Sequence, residues 1–129
     1  MDGRAEAVDQ ARSLTVELFR ATSKLRKKEP VLADDIQREA CRLMFTLRRA
    51  EAEPDPYGVS LVVMDQLEVA VASLARVETM MLIACDLGYS DGLNAEARLA
   101  EIEELYAFAQ SWLEELCSSD GAASAPRVN

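Results

Sequence analysis

Carboxylates and thiols are the side chains that could do chemistry in this 129-residue sequence, which contains no histidine. Without histidine, the Ser-His-Asp and Cys-His pairs of nucleophilic enzymes and the Glu-x-x-His motif of di-iron bundles are excluded. Glu78 lies among apolar residues, where a buried carboxyl group could act as a general acid or base. Pairing with an arginine is the alternative interpretation. We therefore predict a protein without enzyme activity, catalytic residues, a bound metal or another cofactor.

Three cysteines, Cys41, Cys85 and Cys117, lie far apart in the sequence, each within a helical apolar pattern. An odd number of cysteines without paired spacing indicates neither a disulfide framework nor a zinc knuckle. No residue near Cys85 in the sequence is placed to activate it as a nucleophile. We therefore expect three buried, reduced thiols that react slowly with a bulky alkylating reagent.

Basic residues are concentrated in the first part of the chain. Residues 1–52 carry 11 basic and 9 acidic side chains and residues 53–129 carry 3 and 14, so the two parts have charges of +2 and −11. A strongly acidic second part opposes general binding of nucleic acid. The basic cluster has two interpretations, a patch that binds phosphate or a partner and a solvated face that complements a helix dipole. The candidate patch comprises Lys24, Arg26, Lys27, Lys28, Arg48 and Arg49.

The composition favours helices, because 50% of the residues are apolar and only 5% are aromatic. Apolar residues at three- and four-residue steps predict four amphipathic helices, interrupted by the segment EPDPYG and by Gly88. These helices are predicted near Ala5 to Lys28, Pro30 to Ala50, Ser60 to Leu87 and Asn94 to Cys117. Short connections favour an all-α, antiparallel up-down-up-down four-helix bundle. We expect a single domain over residues 1–118 and a disordered tail over 119–129.

Several local features follow from this assignment. Ser60 and Asn94 are the expected N-caps of the third and fourth helices, and Asp34 is placed to pair with Arg38 four residues later. The core prediction places four leucines in the interior, Leu74, Leu82, Leu105 and Leu113. On that basis the substitution Leu82→Ala is expected to cost roughly 2–5 kcal/mol of stability.

The sequence favours a cytoplasmic location without a membrane partner. The N-terminal residues MDGRAEAVDQ include acidic residues where a signal peptide would carry its basic region. The most apolar run, residues 59–87, is interrupted by four charged residues, Asp65, Glu68, Arg76 and Glu78. Charged side chains in those positions are too costly in lipid for a spanning helix.

Surplus apolar residues on the third and fourth helices predict self-association, because an exposed apolar surface commonly marks an interface. The candidate oligomer interface comprises Val62, Val63, Met80, Met81, Phe108 and Trp112. The opposite charges of the two parts of the chain favour contact between unlike faces of neighbouring copies. Such a heterologous arrangement closes into a ring when its rotation permits.

The segment from Ala70 to Tyr89, AVASLARVETMMLIACDLGY, resembles the third helix of small bacterial four-helix-bundle proteins first noted as reading frames within ribosomal RNA intervening sequences. That helix reads small-Ser-Leu-x-Glu-Leu-Glu-Thr-x-Leu, followed by an alanine and Leu-Gly-Tyr. The matching residues are Ala72, Ser73, Leu74, Glu78, Thr79, Leu82, Ala84, Leu87, Gly88 and Tyr89. Arg76 and Val77 depart from the pattern. Residues 36–40 resemble a Gln-Ile-x-Arg-Ala segment with its first two residues inverted.

Residues 42–52, RLMFTLRRAEA, lack the Ser-Ile-Pro-x-Asn-Ile-Ala-Glu-Gly sequence that follows in the family, so any function of that sequence does not transfer. The same fold group includes the accessory variability determinants of diversity-generating retroelements, which form pentameric rings and bind reverse transcriptase and nucleic acid. The resemblance implies a pentameric, homo-oligomeric scaffold or adaptor. The alternative that it implies is an accessory protein that binds RNA, DNA or a nucleic-acid enzyme through a basic rim of the oligomer.

Overall fold

Residues with high helix propensity dominate the chain, and in a computed structural model the protein is all-α. The structure describes residues 3–52 and 61–128, with side chains up to residue 118, and contains no strand within these ranges. The helices are α1 (Arg4–Leu25), α2 (Pro30–Ala52), α3 (Leu61–Asp86), α4 (Ser90–Leu93) and α5 (Ala95–Val128). The EPDPYG segment and the predicted N-cap Ser60 lie outside the described residues.

A short connection with Pro30 in the first turn of α2 reverses the chain between α1 and α2. Gln37 Nε2 donates a hydrogen bond to Thr22 Oγ1 at 2.8 Å. Near the end of α1, Arg26 forms an ion pair with Asp34 at 2.9 Å. The predicted Asp34–Arg38 pair is therefore wrong, since Asp34 turns toward α1 while Arg38 pairs with Asp35 at 3.0 Å.

Gly88 ends α3, as the sequence predicts, with a φ of +96° that favours glycine. The N–H of Gly88 donates to the Cys85 carbonyl at 3.0 Å and the N–H of Tyr89 donates to the Ala84 carbonyl at 2.9 Å. These two bonds form a Schellman motif that satisfies the last carbonyls of α3. The next residues, predicted as a turn, form the short helix α4, and Asn94 is left-handed at φ 50° where the chain enters α5.

The long helices pack in neighbouring pairs, with α1 against α2 and α5, and α3 against α2 and α5. Ion pairs join Glu39 of α2 to Arg76 of α3 at 3.6 Å and Arg4 of α1 to Glu115 of α5 at 3.3 Å. An early residue of α1 therefore meets a late residue of α5, which makes this pair antiparallel.

The core follows three- and four-residue steps on every long helix, as an amphipathic pattern requires. On α3 the fully buried residues are Val63, Leu67, Ala70, Ser73, Leu74, Val77, Met81 and Ala84. The predicted burial of Leu74 and Leu105 is confirmed, and Leu113 is half-buried. The predicted burial of Leu82 is wrong: its side chain is 49% exposed. Met81 takes the core position, and the next residue is turned about 100° away from it.

Helix α5 extends to Val128, past Cys117, where the sequence predicts its end. In the segment beyond Cys117, Ala122, Ala123 and Ala125 favour continuation of the helix, whereas Gly121 and Pro126 oppose it.

Two leucines on α3 test the assignment of the core face. Leu74→Ala removes a fully buried side chain and is expected to lower the free energy of unfolding by about 2–5 kcal/mol. Leu82→Ala on the same helix is expected to cost less than about 1 kcal/mol, because Leu82 leaves no cavity when it is truncated. Chemical denaturation monitored by circular dichroism measures both. Equal losses for the two variants would contradict the assignment.

Candidate interaction surfaces

A second apolar stripe flanks the core side of helix α3, whose exposed surface also carries Asp65, Glu68, Arg76, Thr79 and Asp86. This outer stripe consists of Val62, Val69, Met80 and Ile83 on α3 and of Leu87, which follows the last residue of the helix. Met80 is half-buried and the other four are exposed. Val62, Val69 and Ile83 are separated by multiples of seven residues, and Met80, Ile83 and Leu87 by three and four. This is the spacing of a helix seam that packs against another helix, with Arg76 at the seven-residue position between Val69 and Ile83.

The structure places the six predicted interface residues in different environments. Val62 is exposed, whereas Met80 and Phe108 are half-buried. The other three, Val63, Met81 and Trp112, lie in the core of the single chain and are not available to a second copy. The predicted interface therefore includes both buried and exposed residues of α3. Seven-residue steps occur on both faces, from Val62 to Val69 and from Val63 to Ala70, so this spacing alone does not separate them.

Trp112 and Phe108 belong to an intramolecular cluster at one end of the molecule. Their rings meet edge to face with centroids 6.0 Å apart. The guanidinium of Arg4 lies 4.7 Å from the centroid of the Trp112 ring, a cation–π contact, and the same side chain pairs with Glu115. A Cβ atom at Gly3 would lie only 3.0 Å from Phe108. The beginning of α1 therefore covers these aromatic residues.

A groove of about 450 Å³ lies between α2 and α3 beside the outer stripe. Arg38, Glu39, Arg76 and Met80 are among its lining residues. Glu39 is mostly buried and lies between two arginines, 4.0 Å from Arg42 and 3.6 Å from Arg76. One carboxylate is therefore shared by two guanidinium groups. Both arginines remain about half exposed and can reach a further carboxylate.

The outward side of α2 carries a stripe of exposed residues that begins beside this groove at Arg38. This α2 stripe consists of Arg38, Arg42, Phe45 and Arg49, at steps of four, three and four residues. All four are exposed, and Phe45 is 73% exposed. An aromatic ring between cations is unusual for a surface that only contacts water, because tyrosine, phenylalanine and arginine are typical of interface centres.

The six residues of the predicted basic patch do not form one surface. Lys24, Arg26, Lys27 and Lys28 lie at the end of α1, next to the start of α2. Arg48 lies 18 residues after Pro30, or about 27 Å farther along α2, so Arg48 and Arg49 are near the opposite end. The antiparallel packing of α1 and α2 separates the two groups. Within the first group, Arg26 is engaged by Asp34 and Gln37.

Lys24 and Lys28 border a cleft of about 180 Å³ that also contacts Leu25, Tyr89 and Leu93. The Tyr89 hydroxyl donates to Glu29 Oε2 at 3.2 Å. Desolvation, followed by the hydrogen bond to Glu29 and its charge, raises the pKa of Tyr89. The Tyr89 phenol therefore stays protonated. Lys24, Lys27 and Lys28, the three lysines at this end of the molecule, form no ion pair with another described residue.

Helix α5 presents an acidic face of exposed carboxylates, Glu96, Glu103, Glu104 and Glu114. None of these four is ion-paired to a residue that the structure describes, whereas Glu101 lies 2.8 Å from Arg98. Between them the surface residues are small, with Ala100, Ala107 and Ser111 exposed. A neighbouring helix can therefore approach this face closely.

The thiols differ from the prediction of three buried cysteines. Cys117 is exposed, and Cys41 and Cys85 are half-buried. All three are free. Glu78 is half-buried and forms no ion pair with any described residue, so the expected arginine partner is not found. Within residues 3–52 and 61–118 no group of histidine, cysteine and carboxylate side chains is arranged to hold a metal ion.

None of the described helices has the length and apolarity needed to cross a membrane. Comparisons of the chain with protein-family models, curated proteins and solved structures give no match.

The thiols provide a direct test of these surfaces. A bulky maleimide added to the native protein is expected to label Cys117 first and Cys41 and Cys85 more slowly, because labelling rate follows exposure. Mass spectrometry of peptides over time measures the order. The variant Cys117→Ser should lose only the fast phase. A fast phase that persists in this variant would contradict the described burial.

Proposed function

We propose that this protein is a non-enzymatic, homo-oligomeric helical scaffold or adaptor built from antiparallel up-down-up-down four-helix bundles. The neighbouring pairs of long helices support the bundle, since each contacts two others and short connections reverse the chain. The antiparallel contacts of α1 with α2 and with α5 support the same arrangement.

The outer stripe of α3 is the observation that carries the proposal of self-association. A helix in a bundle normally exposes a polar side to water, whereas the exposed surface of α3 mixes charged residues with valine, isoleucine and leucine. In one copy of the chain only one side of α3 is covered. A second copy that covers Val62, Val69, Ile83 and Leu87 removes these four apolar side chains from water.

A closed ring of five copies is the form of assembly that we propose. The sequence resemblance of residues 70–89 supports the number five, which the physics of the surface does not set. The segregation of the α2 arginines from the α5 glutamates supports contact between unlike faces, which generates rings rather than two-fold dimers. The absence of histidine from the sequence supports a non-enzymatic role.

Self-association is tested by size exclusion coupled to light scattering, at low and moderate salt. The wild-type protein is expected to have a mass of several times 14.2 kDa. Val69→Asp, which places a charge in the outer stripe, is expected to reduce the mass to that of one chain. Val16→Asp on α1 is the matched control, because Val16 is 42% and Val69 is 39% exposed. A wild-type monomer under both conditions would overturn the proposal.

A nucleic-acid or ribonucleoprotein accessory role is the alternative function. Three lysines at the end of α1, Lys24, Lys27 and Lys28, support it, because they are exposed and lack ion-pair partners among the described residues. In a ring, this group of three lysines would be repeated around one rim, once per copy. Weak contacts of each group with phosphate would then combine into stronger binding of one nucleic-acid molecule.

The alternative predicts RNA or DNA binding that weakens steeply as salt rises, because phosphate contacts release counterions. Fluorescence anisotropy with labelled oligonucleotides measures this. Lys24→Glu with Lys28→Glu is expected to abolish binding, whereas Arg48→Glu with Arg49→Glu, at the far end of α2, leaves most of it. Absence of binding at low salt would reject the alternative without affecting the scaffold.

A further inference from the structure

The α2 stripe and the acidic face of α5 have matching charge and spacing. Arg38 and Arg49 are 11 residues apart on α2, and Glu103 and Glu114 are 11 residues apart on α5. At 1.5 Å per residue, both pairs span about 16 Å along their helices. Two helices laid side by side can therefore place a guanidinium opposite a carboxylate at both positions at once.

The side chains between these charges also match. Phe45 projects from α2 between the arginines and is 73% exposed. On α5 the corresponding positions are occupied by Ala107 and Ser111, which are exposed and small. A large aromatic ring on one helix and small residues on the other allow close packing, as in a knob that enters a hole.

The carboxylates on α2 and α5 favour contact of the α2 stripe with the acidic face of α5 over contact between two like faces. Asp35 and Glu39 on α2 are already engaged by Arg38, Arg42 and Arg76. The acidic residues Glu103 and Glu114 have no ion pair to a described residue. Contact between two acidic faces would bring like charges together and would be repulsive. Contact between two α2 stripes would be repulsive for the same reason.

We propose that helix α5 of one copy packs along the outward side of α2, beside the groove between α2 and α3, of the next copy. In this contact Glu103 and Glu114 pair with Arg38 and Arg49, and Phe45 packs on Ala107 and Ser111. The same α5 helix also covers the part of the outer stripe that lines this groove, at Met80. This inference rests on the proposed self-association and names the surface that each copy offers to its neighbour.

The contact is heterologous, so every copy has one donor face and one acceptor face, and the two can be blocked separately. Phe45→Glu blocks the α2–α3 face and leaves α5 intact. Glu103→Arg with Glu114→Arg blocks α5 and leaves the α2–α3 face intact. Each variant alone is expected to be monomeric. An equimolar mixture is expected to form a dimer of twice 14.2 kDa and nothing larger, because one intact pair of faces remains.

Matched controls separate the effect of position from the effect of charge. Phe19→Glu on α1 replaces another exposed phenylalanine, and Glu6→Arg with Asp9→Arg changes charge by the same amount on α1. Both controls are expected to keep the wild-type mass. Circular dichroism establishes that every variant retains its helix content.

The masses of the wild type, the single variants and their mixture, measured by light scattering, distinguish three outcomes. A dimer in the mixture supports the proposed contact. If the wild type is assembled but the single variants also stay assembled, this contact is overturned while self-association stands. The same holds if the wild type is assembled and the mixture stays monomeric. A monomeric wild type overturns both proposals.

Discussion

The structure depends on a single constraint, which is that α3 carries more apolar residues than the chain covers. The inner side, from Val63 to Ala84, is buried against α2 and α5. The outer side leaves valine, isoleucine and leucine side chains about half exposed. The remaining helices of the same chain are occupied in the core, so the outer side has to be covered by another molecule or remain in water.

The free energy that burial of the outer stripe can contribute is not sufficient by itself for a stable contact between two copies. Complete burial of one such side chain contributes about 1.5–3 kcal/mol, and these side chains are already partly buried. Association costs about 4–15 kcal/mol in lost translational and rotational freedom. The α2 stripe therefore matters, because Phe45 adds a nearly fully exposed aromatic ring to the contact. The arginines and glutamates contribute register and exclude like-with-like pairing more than they contribute affinity.

The helical content and the end of α3 could be predicted from the sequence because they depend on local signals. Three- and four-residue periodicity and the glycine at position 88 are features of this kind. The phase of α3 could not be predicted in the same way. Val62 and Val63 each begin a series of mostly apolar residues at seven-residue steps, so the sequence offers more than one apolar face, and it predicts Leu82 in the core where Met81 lies.

Features that depend on neighbouring helices were also beyond the sequence pattern. Asp34 pairs with Arg26 across the α1–α2 connection instead of with Arg38 on its own helix. The six cations of the predicted patch are divided between two ends because α1 and α2 are antiparallel. Among the candidate interface residues, only the packed structure distinguishes exposed Val62 from buried Val63.

Coverage of the outer side of α3 by a second copy is tested most directly by hydroxyl-radical footprinting at two adjacent residues. Leu82 and Ile83 are 49% and 45% exposed, but only Ile83 belongs to the outer stripe. As protein concentration rises from dilute to assembled conditions, oxidation of Ile83 is expected to fall while oxidation of Leu82 stays constant. Equal oxidation of Ile83 at all concentrations, in a protein that light scattering shows to be assembled, would contradict the account.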